Sequence, residues 1–193
     1  MNYKNLLRQI YILIANPAEA WKQIEQDKSL NVMYSNFLYP MVALTACATF
    51  LGVIMHSSGN MAYPIFQQAL TKSCAVAVAL LGGFYLTTYL LDLLFTKYIE
   101  GLTYTKDNLT KLVGYSFVVI FLSIVVSSFF PRLNLILIMA QIYIIYIVWQ
   151  AMGVMITPNE DKKMKLTWII GVGIVCVPFI IQSIFMFLVK FLN

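Results

Sequence analysis

The chain has 193 residues, a net charge of +5, 61% apolar and 11% charged side chains, and a mean hydropathy of +0.80. A soluble domain carries about a quarter charged residues, so too little polar surface is available to cover a core this apolar, and lipid is the fitting solvent. Three cysteines, Cys47, Cys74 and Cys176, all lie within apolar runs, where thiols act as small packing residues; neither a disulfide framework nor a zinc-type Cys/His spacing is present.

The chain opens without the layout of a signal peptide. Lys4 and Arg8 are followed by an apolar run interrupted at Asn16-Pro17, with no small-residue cleavage site after it, so the segment is expected to stay in the mature protein. Leu6, Leu7, Ile10, Tyr11 and Ile14 recur at helical spacing within Tyr3–Ala15. Thirteen residues are too few to span a bilayer, so the pattern predicts an amphipathic helix in the cytoplasmic interface or packed under a bundle, with Lys4 and Arg8 as anchors. Asn16 can cap a second short helix with Pro17 at its first position. Trp21 and Ile24 share a face of that helix, and Trp21 is expected to anchor at headgroup level. The two helices either dock on the bundle or bind a partner or lipid.

Residues 1–35 thus form a cytoplasmic segment, and residues 36–193 an all-α bundle of five transmembrane helices, with spans at about 36–55, 73–94, 112–130, 133–156 and 167–189. In the first, Pro40 is expected in the opening turn, where a missing N–H matters least. His56, the only histidine, follows beside Ser57-Ser58-Gly59 and reads as a helix-end residue rather than a metal or proton site. Asp92 lies near the end of the second span. It either reaches the headgroups or joins a polar network at membrane depth. Thr105 can cap the start of the next helix.

Leu112 to Ile156 is a run of 45 residues whose only formal charge is Arg132. As one helix it would be about 67 Å long, over twice a hydrocarbon core. Pro131 disfavours helical geometry at Phe130, and Arg132 is costly at the bilayer centre but not at an interface. The run therefore predicts two crossings with a tight turn at Pro131-Arg132. The segment TPNEDKKMKLTW, from Thr157 to Trp168, reads as a charged turn before the last span, which contains Pro178.

The loops support the count independently. Ten of the thirteen Lys and Arg residues fall on alternate sides, in the amino-terminal segment and the second and fourth loops; Lys72, Arg132 and Lys190 fall on the other. Lys and Arg gather on the cytoplasmic side, which places the protein in the cell membrane with its amino-terminus inside and its carboxyl-terminus outside. The net charge reflects this bias and needs no nucleic-acid partner.

Within the spans, Asp92, Gln141, Gln150 and Gln182 form a candidate polar network, since amides can hydrogen-bond across helices. Tyr143, Tyr146 and Trp149 recur every three residues as a packing stripe. Ser123, Ser127 and Ser128 are expected to bond back to their own helix or to a neighbour. Gly82-Gly83, Gly153, Gly171 and Gly173 permit close helix approach. No catalytic constellation, metal motif, phosphate loop or cofactor signature emerges, so the chain reads as no enzyme.

Several segments together carry a family resemblance: N-P-A-E-A-W at Asn16 to Trp21, Y-S-N-F-L-Y-P at Tyr34 to Pro40, L-V-G-Y-S at Leu112 to Ser116, and W-Q-A-M-G at Trp149 to Gly153. The chain resembles the prokaryotic branch of the Yip-domain family of five-helix integral membrane proteins. The proline expected soon after L-V-G-Y-S is replaced here by Val118, Val119 and Ile120. The resemblance implies the architecture more firmly than a mechanism. Eukaryotic relatives bind small prenylated GTPases through longer amino-termini, which this chain does not match. The leading expectation is a non-enzymatic protein that organises or binds membrane components, with membrane lipid, a membrane-protein partner or a second copy as its partner. The alternative is a small transporter or channel subunit that uses Asp92, Gln141, Gln182 and a break at Pro178.

Overall fold

The computed structural model describes residues 3–26, 29–57, 62–98, 102, 104–156, 158 and 160–192. Two short helices come first, α1 (Tyr3–Ala15) and α2 (Pro17–Gln26). Five long ones follow: α3 (Leu30–His56), α4 (Ala62–Tyr98), α5 (Lys106–Phe129), α6 (Pro131–Ala151) and α7 (Glu160–Leu192). Each of the five contains a stretch long and apolar enough to cross a membrane, and their outward faces carry large apolar side chains, such as Phe187 and Phe191, that water would not tolerate as a band.

The α1–α2 corner forms as the sequence leads one to expect. The Asn16 side chain accepts from the Glu19 N–H at 3.4 Å and donates to the Glu19 carboxylate at 3.0 Å, so the two residues cap the start of α2 reciprocally. Thr105 caps α5 in the same way, accepting from the Asn108 N–H at 3.2 Å. Phe130 breaks the long apolar run, and Pro131–Leu133 form a single tight 3-10 turn that opens α6. Ser127 and Ser128 bond back to the Ile124 carbonyl, and Ser123 reaches across to the Leu137 carbonyl at 3.4 Å.

Helix ends differ from the apolar runs in physically readable ways. α3 begins at Leu30 rather than Asn36, because Met33 already packs into the core at 1% exposure. Pro40 is the second residue of the regular α-helical part, Tyr39–His56, and so falls in that part's first turn as expected. It cannot donate to the Asn36 carbonyl, and the chain widens into a π turn over Tyr34–Leu38 just before it. α4 begins at Ala62, so the expected polar loop after His56 is largely helix, with residues 58–61 outside the described set. α6 ends at Ala151, not Ile156. Gly153 turns the chain at φ +94°, a conformation suited to glycine, and Met152, Met155 and Ile156 are buried as a compact turn rather than as helix. α7 begins at Glu160, so Lys162, Lys163 and Lys165 sit in its first turns rather than in a loop; Lys163 lies 4.7 Å from the Trp149 ring centre. α7 stays helical through Pro178. The described part of α4 has 37 residues and α7 has 33, about 56 and 50 Å of helix at 1.5 Å per residue. Both exceed a hydrocarbon core of about 30 Å.

The five long helices close into a ring. α3 packs on α4 and α5, α4 on α7, α7 on α6, and α6 on α5. Two close approaches fix it: Gly52 of α3 lies against the Ser128 carbonyl of α5, and Gly83 of α4 lies against Pro178 of α7, where an added Cβ would stand 2.6 Å from the proline Cγ. The ring is filled near the α1–α2 end by Trp21, Phe37, Phe84, Phe117 and Phe121, all fully buried. The Pro131 end is packed differently, and there the candidate site lies.

Candidate functional site

Three places gather polar side chains. The first is the α1–α2 end. Leu6, Ile10 and Leu13 present one buried face of α1, and Pro17, Ala20, Trp21 and Ile24 one buried face of α2. Trp21 is 0% exposed; its indole N–H donates to the Ile147 carbonyl at 3.0 Å, and its ring meets Tyr115 edge-on at 6.3 Å. The expectation of a headgroup anchor at Trp21 is therefore corrected. The residue is a peg between α5 and α6, and amphipathicity alone does not distinguish a face that meets lipid from one that meets protein. One turn away on α6, the Tyr143 hydroxyl donates to the Ile14 carbonyl at 2.7 Å. Arg8 lines a surface hollow of about 620 Å³ with Gln9, Gln23, Asn36 and Tyr115, while Lys4 lies exposed on the same helix.

The second place is the end of α4. The Asp92 carboxylate lies 3.4 Å from the Lys106 ammonium and accepts from the Tyr104 hydroxyl at 3.1 Å. Tyr104 also meets the Thr96 hydroxyl at 3.1 Å. Burial, and to a lesser extent the bond to Asp92, raises the Tyr104 pKa above its ordinary value. Asp92 is thus satisfied locally, at the same end of the ring as α1 and α2.

The third place is a cavity of about 600 Å³ at the Pro131 end, walled by all five long helices. α6 contributes Asn134, Ile138 and Gln141, and α7 contributes Val175, Phe179, Gln182 and Met186, both at the spacing of a single helix face. α3 supplies Thr49 and His56, α5 supplies Ser127 and Ser128, and α4 supplies Lys72 below Val76 and Leu80. The His56 Nδ1 lies 2.8 Å from the Gly52 carbonyl, so this nitrogen carries the hydrogen. α6 and α7 pack together mainly through the Tyr143–Ala151 half of α6, while its Asn134–Ala140 half leans on α5, and the cavity lies beside that half. The outward side chains of that half, Leu135 and Ile136, are 72% and 64% exposed.

The proposed network is therefore divided. Gln141 and Gln182 both line the cavity, whereas Asp92 and Gln150 are not part of its lining. An unbonded amide in hydrocarbon costs roughly 1–3 kcal/mol, and both amides border this space rather than the lipid-facing surface alone. Pro131 lines the cavity mouth, and Arg132 lies exposed beside it. Lys72, Thr49 and His56 were not legible as site residues. Lys72 sits at the edge of an apolar run and Thr49 within one, and His56 reads as a helix end. The signal that marks this end is the placement of the carboxylates: all eight Asp and Glu residues belong by sequence to the segments at the α1–α2 end. Among the described residues, no three His, Cys, Asp or Glu side chains group as a metal site.

A family profile described as the Yip1 domain matches residues 10–189. The chain belongs to the Yip1 domain family. No curated protein and no solved structure matches it. The matched range takes in all five long helices and most of the α1–α2 corner, so both the filled end and the cavity end lie within the Yip1 domain.

Proposed function

We propose that this Yip1-domain protein is a non-enzymatic membrane protein that binds a membrane component in the cavity at its Pro131 end. The observation that supports this reading is a space walled by five membrane-length helices, lined by the amides of Asn134 and Gln141 on α6 and of Gln182 on α7 among apolar side chains. Such a lining suits a molecule with an apolar body and a polar part, drawn from the bilayer between the splayed halves of α6 and α7. The distribution of Lys and Arg supports an orientation with α1 and α2 in the cytoplasm and the cavity opening on the outer side. A transport path would have to continue through the ring. The fully buried Trp21, Phe37, Phe117 and Phe121 fill its other end, which favours a binder over a channel.

The test is reconstitution with a phospholipid that carries a photoreactive diazirine in its tail, followed by peptide mapping after illumination. Labelling should concentrate on the cavity-lining residues Asn134, Ile138, Phe179 and Gln182, and Ile138→Trp should remove it. Labelling no heavier there than on the outward Leu135 and Phe187 contradicts the proposal. So does solute flux through empty proteoliposomes that Gln182→Leu abolishes, because that is the behaviour of a pore.

A further inference from the structure

We infer that the cavity's ligand is an anionic amphiphile, with a phosphate or carboxylate headgroup held at Lys72 and an apolar tail lying between α6 and α7. The inference rests on the binding role proposed above and adds the chemistry of the ligand.

Charge carries the argument. Lys72 and His56 are the ionisable side chains of the cavity wall, and no carboxylate joins them. The deficit extends over the whole end of the molecule. By sequence, Glu19, Glu25 and Asp27 precede α3; Asp92, Glu100 and Asp107 flank the α4–α5 connection; Glu160 and Asp161 open α7. The Pro131 end holds Lys72, Arg132 and Lys190 against none. The α1–α2 end supplies its own countercharge, as the pairing of Asp92 with Lys106 shows. At the cavity end no Asp or Glu side chain is available to play that part for Lys72.

Position carries the rest. Lys72 and Met186 are shared between the main cavity and a second hollow of about 560 Å³, which Gln67, Gln68 and Thr71 of α4 also line. The polar first turns of α4 therefore adjoin the apolar space between α6 and α7, with the ammonium at the junction. A headgroup at Lys72 would have amide and hydroxyl donors on one side. Its tail would lie along Ile138, Val175 and Phe179 on the other. Gln141 and Gln182, deeper along their helices, suit the ester or amide carbonyls that join a tail to its headgroup. Lys72 stands on a continuous helix, so its Cα is fixed at the junction and its exposed side chain can reach a headgroup there.

The experiment uses the full chain purified in a neutral detergent, with phosphatidylglycerol and phosphatidylcholine of identical tails as competing probes. Retained lipid is counted by native mass spectrometry. Phosphatidylglycerol should be held about tenfold more tightly, the worth of one charge-assisted hydrogen bond. Lys72→Gln should reduce that preference to parity, and Lys72→Arg should keep it. Inorganic phosphate in excess should fail to displace the lipid. Equal retention of the two lipids by the unaltered chain overturns the anionic assignment and leaves the cavity reading standing. Displacement by phosphate alone overturns the amphiphile and points to a free anion. Retention of both lipids undiminished by Ile138→Trp overturns the cavity reading itself. The comparison on the unaltered chain decides the question even if Lys72→Gln fails to fold.

Discussion

The two ends of the helix ring solve the same problem in opposite ways. At the α1–α2 end, five aromatic side chains and a docked helical corner fill the space, and polar atoms find protein partners: Trp21 with Ile147, Tyr143 with Ile14, Asp92 with Lys106 and Tyr104. At the Pro131 end the walls part, and the amides of Gln141 and Gln182 line a cavity beside the hydroxyls of Thr49 and Ser128, which bond back to their own helices. The ends differ in packing as well as in charge: both are built from the same apolar helices, but the carboxylates all belong to the filled one. A filled end contributes stability that an open end gives up.

Substitutions can break or sharpen this contrast. The largest effect is expected at Trp21. Trp21→Ala removes a fully buried ring and should cost about 3–5 kcal/mol, read as a fall in thermal unfolding temperature in detergent. Trp21→Phe, which loses chiefly the bond to Ile147, should cost about 1–2 kcal/mol. If Trp21→Ala leaves unfolding unchanged, the α1–α2 corner is not part of the packed end. The next largest effect is at Gly52. An added methyl meets the Ser128 backbone carbonyl, which cannot turn aside, so Gly52→Ala should destabilise by about 2–3 kcal/mol. Gly114→Ala should cost less, about 1 kcal/mol, because its methyl meets the movable tip of Met33. Equal losses at the two glycines would show that the α3–α5 contact is looser than described.

Cavity substitutions should behave in the reverse sense. Gln182→Leu removes an amide from the lining and should change unfolding by no more than about 1 kcal/mol, while lowering lipid retention. A loss as large as that of Trp21→Ala would mean that the amide is a structural partner and not a site residue. The smallest effect is expected at Asp92→Asn. Lys106 is 69% exposed in its ion pair, so the change should stay below about 1 kcal/mol and shrink further at high salt. A large, salt-independent loss would place Asp92 in a dry network.

Much of the framework was legible in the sequence, because its signals are local. Asn16-Pro17 caps and Thr105 caps are chemistry within a few residues, and the turn at Pro131 follows from proline geometry and the length of a bilayer. The helix ends were less legible. Val154, Met155 and Ile156 are apolar because they pack as a buried turn, and hydropathy cannot tell that from the end of a span. The partner of Trp21 lies 126 residues away, so an amphipathic face looked like one made for headgroups. Gln141 and Gln182 stood out as amides in apolar runs, but their sharing of one cavity depends on how α6 packs against α5 and α7, a tertiary choice that no local pattern encodes. Lys72 was hidden for the same reason.

The contrast between the ends can be measured along one helix. In a background freed of Cys47, Cys74 and Cys176, single cysteines replace Gln141, at the cavity, or Val148, which is 0% exposed in the filled end. The rate of modification by a small neutral thiol reagent is then followed in lipid vesicles. The account predicts reaction at position 141 at least about tenfold faster than at 148, since a thiol needs access and ionisation to react. Equal rates at the two positions would contradict it.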